Sequence, residues 1–108
     1  MIYRVVFSPA AGSQLDGLYA YIAEMGGVQA AEGFVGGIHQ HCLNLADFPH
    51  QGSSRKSADI PNLRTLPYKR RAVIAFTADD AAEVVTILGV FYGGRDYESY
   101  LGIETSDE

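Results

Sequence analysis

The chain has 108 residues, of which 47% are hydrophobic and 19% are charged, and its formal net charge is -5. This composition is typical of one folded domain, here residues 1–108, and excludes a disordered chain. The sequence contains no run of about 18 apolar residues, no signal-peptide pattern and no second cysteine for an internal disulfide, so we expect a cytoplasmic protein without a membrane span.

The first half of the chain predicts one strand followed by two helices. Residues 2–7, "IYRVVF", are β-branched and aromatic, as in a strand. Ser8 and Pro9 provide a helix start, because serine caps free N–H groups and proline suits the first helical position. The first helix ends at Gly26–Gly27, and apolar residues at helical spacing predict a second helix from about Val28 to Phe48.

The second half predicts a polar connection and three strands. Residues 50–62 contain Gly, Ser and Pro, which favours an exposed connection. The predicted strands are Leu63–Leu66, Arg70–Thr77 and Glu83–Val90. The order β-α-α-β-β-β predicts an α+β fold, in which an antiparallel sheet carries a helical hairpin on one face and leaves the other face more open.

Two glycines follow the last predicted strand. Gly93 and Gly94 predict a hinge, because glycine accepts backbone conformations that other residues avoid. We expect residues 95–101 to fold back over the sheet, and residues 102–108 to form a disordered tail. The candidate apolar anchors of the returning segment are Tyr97, Tyr100 and Leu101.

The basic residues are concentrated in one segment of this acidic chain. Residues 55–71 contain six of the eight Lys and Arg residues and one acid, which gives a net charge of +5 there and -10 elsewhere. A pI near 5.0 argues against direct nucleic-acid binding, but a local patch can hold a phosphate or an acidic protein segment, and a solvated loop remains the alternative. We expect these cations to gather at one rim of the sheet, beside tyrosines that could stack on a ligand. The candidate binding residues are Arg64, Lys69, Arg70, Arg71, Tyr92, Arg95 and Tyr97.

The residue pattern predicts no metal site, cofactor or catalytic group. His39 and His41 are two positions apart and do not face each other on a helix, while Cys42 belongs to the apolar stripe. A buried thiol has a raised pKa and is a poor nucleophile. Metal-free RNA cleavage needs a general base and a general acid, for which lysine, tyrosine and arginine could in principle serve. Residues 51–108 contain no histidine, however, and no acidic pair beside the arginines.

Four stretches, taken in order, resemble the ParE toxins of the RelE/ParE superfamily. They are "YRVVFSPAAGSQLDGLYAYIAEMGGVQAAEGFVGGI", "CLNLADFPHQGSSRK", "LRTLPYKRRAVIAF" and "VVTILGVFYGGRD". The resemblance covers residues 2–101. Many members of this superfamily have a histidine before the glycine of the final "GRD", where this chain has Tyr92.

The resemblance implies the toxin half of a type II toxin–antitoxin pair that causes growth arrest. Its partner would be a ParD-like antitoxin, with a ribbon-helix-helix domain and a C-terminal segment that wraps the toxin, in a higher-order hetero-oligomer. Its target would be DNA gyrase, and Arg95 is predicted to be the position most sensitive to substitution.

Two alternatives stay open at the level of sequence. One is a RelE-like endoribonuclease that cuts messenger RNA on the ribosome, and the other is a non-toxic protein that keeps only antitoxin binding. The net charge of -5 favours the ParE-like function, because ribosome binding means contact with dense phosphate.

Overall fold

The computed structural model describes residues 2–94 and 96–104. Within these residues it contains five β-strands, three α-helices and one 3₁₀ turn. They are β1 (Arg4–Phe7), α1 (Pro9–Gly26), α2 (Val28–Leu43), the 3₁₀ turn (Asn44–Ala46), β2 (Ser53–Ser54), β3 (Leu63–Tyr68), β4 (Ala72–Asp79), β5 (Val84–Tyr92) and α3 (Tyr97–Tyr100).

The sheet has the strand order β1-β5-β4-β3-β2, and it is mixed rather than antiparallel throughout. β3, β4 and β5 pair antiparallel, as predicted, whereas β1 pairs parallel with β5. The short β2, which lies in the predicted polar connection, was not predicted and pairs antiparallel with β3. The prediction of a purely antiparallel sheet is therefore wrong at β1. A parallel pair needs a long crossover connection, and the helical hairpin and the strands after it provide one between β1 and β5.

The helical hairpin begins and ends where local signals place it. The side chain of Ser8 accepts a hydrogen bond from the backbone N–H of Ala11 at 3.1 Å, and Pro9 is the first residue of α1. Gly27 has a φ of 95° and connects the two helices. The second helix is shorter than predicted, because α2 ends at Leu43 and the chain tightens into a 3₁₀ turn.

The main core lies between the helical hairpin and one face of the sheet. Its fully buried side chains come from both layers and include Ile38, Cys42, Leu45, Ile74, Phe76, Val85 and Ile87. This confirms that the helices pack on one face. The sheet positions the loops at both ends of its strands.

The opposite face is covered, which corrects the prediction of a more open face. Leu101 and Ile103, at 4% and 8% exposure, pack against Leu63, Ala75 and Phe91 there. Leu101 is thus an anchor, as predicted. We call this the tail face, and the other the helix face.

Residues 102–104 are also ordered, so the predicted disordered tail is wrong for them. Ile103 forms a β-bridge with Ser57, and the backbone N–H of Glu104 donates to the carbonyl of Lys56 at 2.7 Å. Residues 102–108 are mostly polar, so their composition did not indicate that Ile103 packs against the sheet. The rest of the predicted tail, 105–108, lies outside the described residues.

Candidate partner-binding site

The six basic residues of segment 55–71 do not gather at one rim. Arg64 lies near the start of β3, whereas Lys69, Arg70 and Arg71 follow its end. At about 3.3 Å per residue, the strand separates Arg64 from Lys69 by about 17 Å. The prediction of a single rim is wrong, because neighbouring antiparallel strands start at opposite ends of a sheet.

Arg64 is used inside the fold. Its Nη2 donates to the carbonyl oxygens of His50 and Gly52 at 2.6 and 3.2 Å, and its Nε donates to that of Gln51 at 3.1 Å. One guanidinium thus fixes three consecutive carbonyls of the connection that enters β2. Arg64 therefore has a structural role, since its guanidinium is already engaged by the backbone.

Arg55 and Lys56 hold the C-terminal part of the chain against the sheet. Arg55 Nη2 lies 2.8 Å from Glu98 Oε2, and hydrogen bonding by Tyr97 and Glu98 raises the pKa of Arg55. Lys56 Nζ lies 3.8 Å from Glu104 Oε1, although the lysine side chain is 83% exposed. We call Arg55, Lys56 and Arg64 the anchored cations.

The other three cations form the end of the β3–β4 hairpin, and we call them the turn cations: Lys69, Arg70 and Arg71. All three are exposed. In residues 2–94 and 96–104, no carboxylate oxygen lies within 4.0 Å of their charged nitrogens. Their charge is therefore available to a partner, and this is the first property that separates them from the anchored cations.

The backbone of this turn is strained. Lys69 and Arg70 have φ values of 50° and 58°, and the N–H of Arg71 donates to the carbonyl of Tyr68 at 3.0 Å. Two successive left-handed residues occur in type I′ turns, for which Asn-Gly is preferred. A left-handed conformation costs a residue with a Cβ atom about 1–2 kcal/mol. Lys69 and Arg70 thus occupy positions at which glycine would make the folded protein more stable.

The turn meets the glycine hinge on the tail face. The N–H of Gly93 donates to the carbonyl of Arg71 at 3.0 Å. Gly93 and Gly94 have φ values of 76° and 77°, which explains why glycine stands there. A pocket of about 170 Å³ lies beside this junction. Its lining residues are Pro67, Arg70, Arg71, Ala72, Val73, Phe91, Gly94 and Tyr97.

Tyr92 lies at the same end of the sheet but on the helix face. Its ring packs edge-on against those of Phe34 and Tyr21, with centroids 5.6 and 6.2 Å apart. It lines a groove of about 480 Å³ between α1 and the end of β5. The structure thus brings Arg70, Arg71 and Tyr97 together and places Tyr92 across the sheet from them. Arg95 lies outside the described residues.

The sequence analysis missed the exposed apolar residues near the tip of the helical hairpin. Tyr21, Met25 and Val28 are 53%, 71% and 57% exposed there. Exposed apolar surface in a groove can mark a binding site, and Tyr21 lines this groove. The signal in the sequence was their position outside the helical stripe that predicts the core. We call this groove the helix-face groove, and its lining residues are Gln14, Gly17, Leu18, Tyr21, Val90, Tyr92 and Gly93.

The opposite end of the sheet carries a second polar cluster that the sequence did not indicate. Oδ1 of Asp80 accepts a hydrogen bond from the hydroxyl of Tyr3 at 2.8 Å and lies 3.0 Å from Nε2 of His50. The hydrogen bond to Asp80 is the main cause of the raised pKa of Tyr3. This cluster joins the first strand to the β4–β5 turn.

Cys42 has the properties of a structural residue. It is fully buried against the sheet, and burial raises its pKa to about 12. In the part of the chain that the structure describes, no three His, Cys, Asp or Glu side chains come together as metal ligands. Within the described residues, no helix has the length and apolar character needed to cross a bilayer.

Comparison with known proteins identifies a family whose sequence pattern matches this chain. The family described as the ParE toxin of the type II toxin–antitoxin system parDE matches residues 5–97. No curated protein matches the sequence. Among solved structures, a chain of the chromosomal ParDE system from P. aeruginosa is 23% identical, with a TM-score of 0.70 over 84% of this chain and 96% of that one.

Solved RelE-type toxins share the same fold. A chain of the RelBE2 toxin–antitoxin complex from Mycobacterium tuberculosis is 16% identical, with a TM-score of 0.65 over 88% of this chain and 95% of that one. A mutant of the E. coli toxin RelE in the free state is 12% identical, with a TM-score of 0.62 over 94% of this chain and 95% of that one. The α+β architecture is therefore that of the RelE/ParE-like toxins.

Proposed function

Because the chain belongs to the ParE toxin family of type II toxin–antitoxin systems, we propose that it inhibits DNA gyrase by binding, without catalytic chemistry of its own. The proposal includes a cytoplasmic location and neutralisation by a ParD-like antitoxin in a hetero-oligomer. The observation that supports it best is that the turn cations are exposed beside two concave surfaces and have no carboxylate partner within residues 2–94 and 96–104.

The positions of the histidines support a binding function rather than acid–base catalysis. RNA cleavage without a metal requires a base and an acid within hydrogen-bond reach of the reacting oxygens. His39 and His41 lie on α2, and the ring of His41 packs against Tyr68 with centroids 5.2 Å apart. His50 lies at the other end of the sheet, beside Asp80. His41 thus lies beside Tyr68 at the base of the turn, but among residues 2–94 and 96–104 no carboxylate oxygen lies within 4.0 Å of its ring nitrogens to orient it as a general base.

The antitoxin is proposed to occupy the helix-face groove and the adjacent turn. The groove is lined mainly by apolar surface from Leu18, Tyr21 and Tyr92, and it ends at Gly93, which is bonded to the turn. A segment with apolar side chains followed by acidic ones would complement both parts. The apolar contacts would supply most of the affinity, and the charges would raise the association rate and the specificity.

A second function is favoured by the tail-face pocket alone. Arg70 and Arg71 beside the ring of Tyr97 could hold a phosphate and stack a base, as RNA-binding proteins do. A solved RelE toxin shares the fold of this chain. A RelE-like endoribonuclease is therefore the alternative, although the acidic chain is poorly suited to approach the ribosome.

Expression without an antitoxin, with DNA damage and translation followed together, tests the proposal. We expect growth arrest with DNA damage, while translation continues in the first minutes. Early loss of translation with cleaved messages would support the endoribonuclease instead. Growth without arrest would support the remaining alternative, a non-toxic protein that keeps only antitoxin binding.

A further inference from the structure

The residues at the centre of the β3–β4 turn conflict with its backbone. Lys69 and Arg70 both have positive φ values, 50° and 58°, and neither is the Asn or Gly that such turns prefer. Strain of this kind persists where the surrounding structure enforces it, and it clusters at functional sites. Eight paired residues join β3 to β4 from Thr65–Tyr68 to Ala72–Ala75, which holds the turn in place.

The strained turn also displays its charges in a defined place. Lys69 Nζ lies 5.5 Å from the centroid of the Tyr68 ring, and that ring is 8% exposed within the main core. The carbonyl of Arg71 accepts the N–H of Gly93 at 3.0 Å, which ties the turn to the hinge. The backbone of the turn is thus fixed on both sides, while its three side-chain charges face solvent.

These observations point to one kind of ligand. We infer that the turn Tyr68–Arg71 is a carboxylate-binding site for an acidic peptide segment, and that Lys69 and Arg70 are kept there for binding although they weaken the fold. The identity of that segment as part of the antitoxin rests on the proposed function. The carboxylate chemistry rests on the turn itself.

Charge distribution favours a peptide over a nucleic acid. Outside segment 55–71 the chain carries a net charge of -10, which repels a long polyanion. A short acidic segment senses mainly the charges within one Debye length, about 8 Å at physiological ionic strength. The helix-face groove begins at Gly93 and offers apolar contacts to the same segment.

Two variants separate binding from folding at this turn. Lys69→Asn combined with Arg70→Gly installs the preferred turn residues and removes two charges, whereas Lys69→Arg combined with Arg70→Lys keeps both charges. We expect the first double variant to melt about 5 °C higher than the wild type, because two left-handed residues are relieved. The charge-conserving variant should melt as the wild type does.

Binding is measured by NMR titration of the ¹⁵N-labelled protein with an acetylated, amidated tetra-glutamate peptide. We expect shift changes centred on the amides of 68–71 and 93–94, with affinity at least about tenfold weaker for the Asn-Gly variant and unchanged for the charge-conserving one. Lys56→Asn, which removes a charge from an 83% exposed side chain elsewhere, is the control and should bind normally.

Several outcomes would overturn the inference. They are the absence of tetra-glutamate binding, shift changes around Arg64 instead of the turn, equal binding by the Asn-Gly variant, and a melting temperature that does not rise in that variant. Stronger binding of an oligothymidylate of equal charge would assign the site to phosphate. A positive result with tetra-glutamate stands even if gyrase is unaffected, so the proposed function and this inference fail separately.

Discussion

The anchored cations and the turn cations lie within 17 residues of each other in the sequence and carry equal charge, yet they differ in what surrounds them. Arg64 donates to three backbone carbonyls, and Arg55 pairs with Glu98. The turn cations have no carboxylate partner among the residues that the structure describes. An acidic protein with a basic segment thus uses half of that segment to hold itself together.

Local charge alone therefore does not define a binding surface. A cation whose hydrogen bonds are already made inside the fold must break them before it can bind a partner. An exposed cation without internal hydrogen bonds has none to break when it binds a partner. Substitution should therefore lower stability at Arg55 and Arg64, whose internal contacts are short, and lower partner binding at the turn cations.

The strongest test of the anchored region removes the apolar contact on which it depends. Leu101 is 4% exposed and packs on the tail face, where α3 brings Glu98 to Arg55. We expect Leu101→Ala to lower the free energy of unfolding by about 3 kcal/mol, through lost burial and the cavity left behind. Urea denaturation measures this change.

Arg70→Ala is the matched substitution in the turn. It should change the free energy of unfolding by less than about 0.5 kcal/mol, because an exposed side chain without internal partners is removed. Equal effects of the two substitutions would show that α3 contributes no more to the fold than the turn does.

The next effect is the loss of the Arg64 hydrogen bonds. Arg64→Met keeps much of the side-chain volume but leaves the carbonyls of 50–52 without their charged donor. We expect a loss of about 2 kcal/mol, in the range of hydrogen bonds to a charged group. Arg71→Met is the control and should melt nearly as the wild type does, and a reversed order would contradict the division of the cations.

A smaller effect is expected at the ion pair between Arg55 and Glu98. A double-mutant cycle with Arg55→Met and Glu98→Gln should give a coupling energy of about 0.5–1 kcal/mol, because the carboxylate side is 40% exposed and partly screened by solvent. The coupling should shrink in high salt. A cycle on Lys56 and Glu104, which are 3.8 Å apart and more exposed, should give almost none.

The smallest effect concerns pH and the start of α3. Hydrogen bonding by the Ser99 side chain lowers the pKa of Asp96 below its ordinary value of 3.8. The backbone N–H of Ser99, which donates to Asp96 Oδ1 at 3.2 Å, adds to this lowering. A lowered carboxyl pKa stabilises the folded state fully above the unfolded pKa, and the contribution is lost as the pH falls through the folded pKa. NMR titration of the Asp96 carboxyl should give a midpoint below 3.8. A midpoint at or above that value would show that the cap is not formed.

Local signals predicted the helical half of the fold correctly. Ser8 and Pro9 start α1, and the glycines at 26 and 27 end it, because capping depends on residues only a few positions apart. The antiparallel pairing of β3, β4 and β5 was also predicted, whereas β2 and the parallel pairing of β1 with β5 were missed. That pairing depends on where the chain returns after nearly 80 residues, which no local pattern encodes.

The candidate site was predictable in composition but not in geometry. The acceptors of Arg64 are backbone carbonyls 12 to 14 positions away, and Glu98 lies 43 positions from Arg55. No residue close to either cation in the sequence indicates these partners. The left-handed turn was also invisible, because Lys69 and Arg70 lack the Asn or Gly that would announce it.

A gyrase supercoiling assay tests the proposed function with three purified proteins: the wild type, Arg70→Glu with Arg71→Glu, and Lys56→Glu as the control for charge reversal at an anchored cation. The wild type and the control should inhibit supercoiling or trap cleaved DNA. The turn variant should be at least about tenfold weaker at an unchanged melting temperature. Wild-type protein that leaves gyrase unaffected and cuts ribosome-bound messenger RNA would contradict the proposed function.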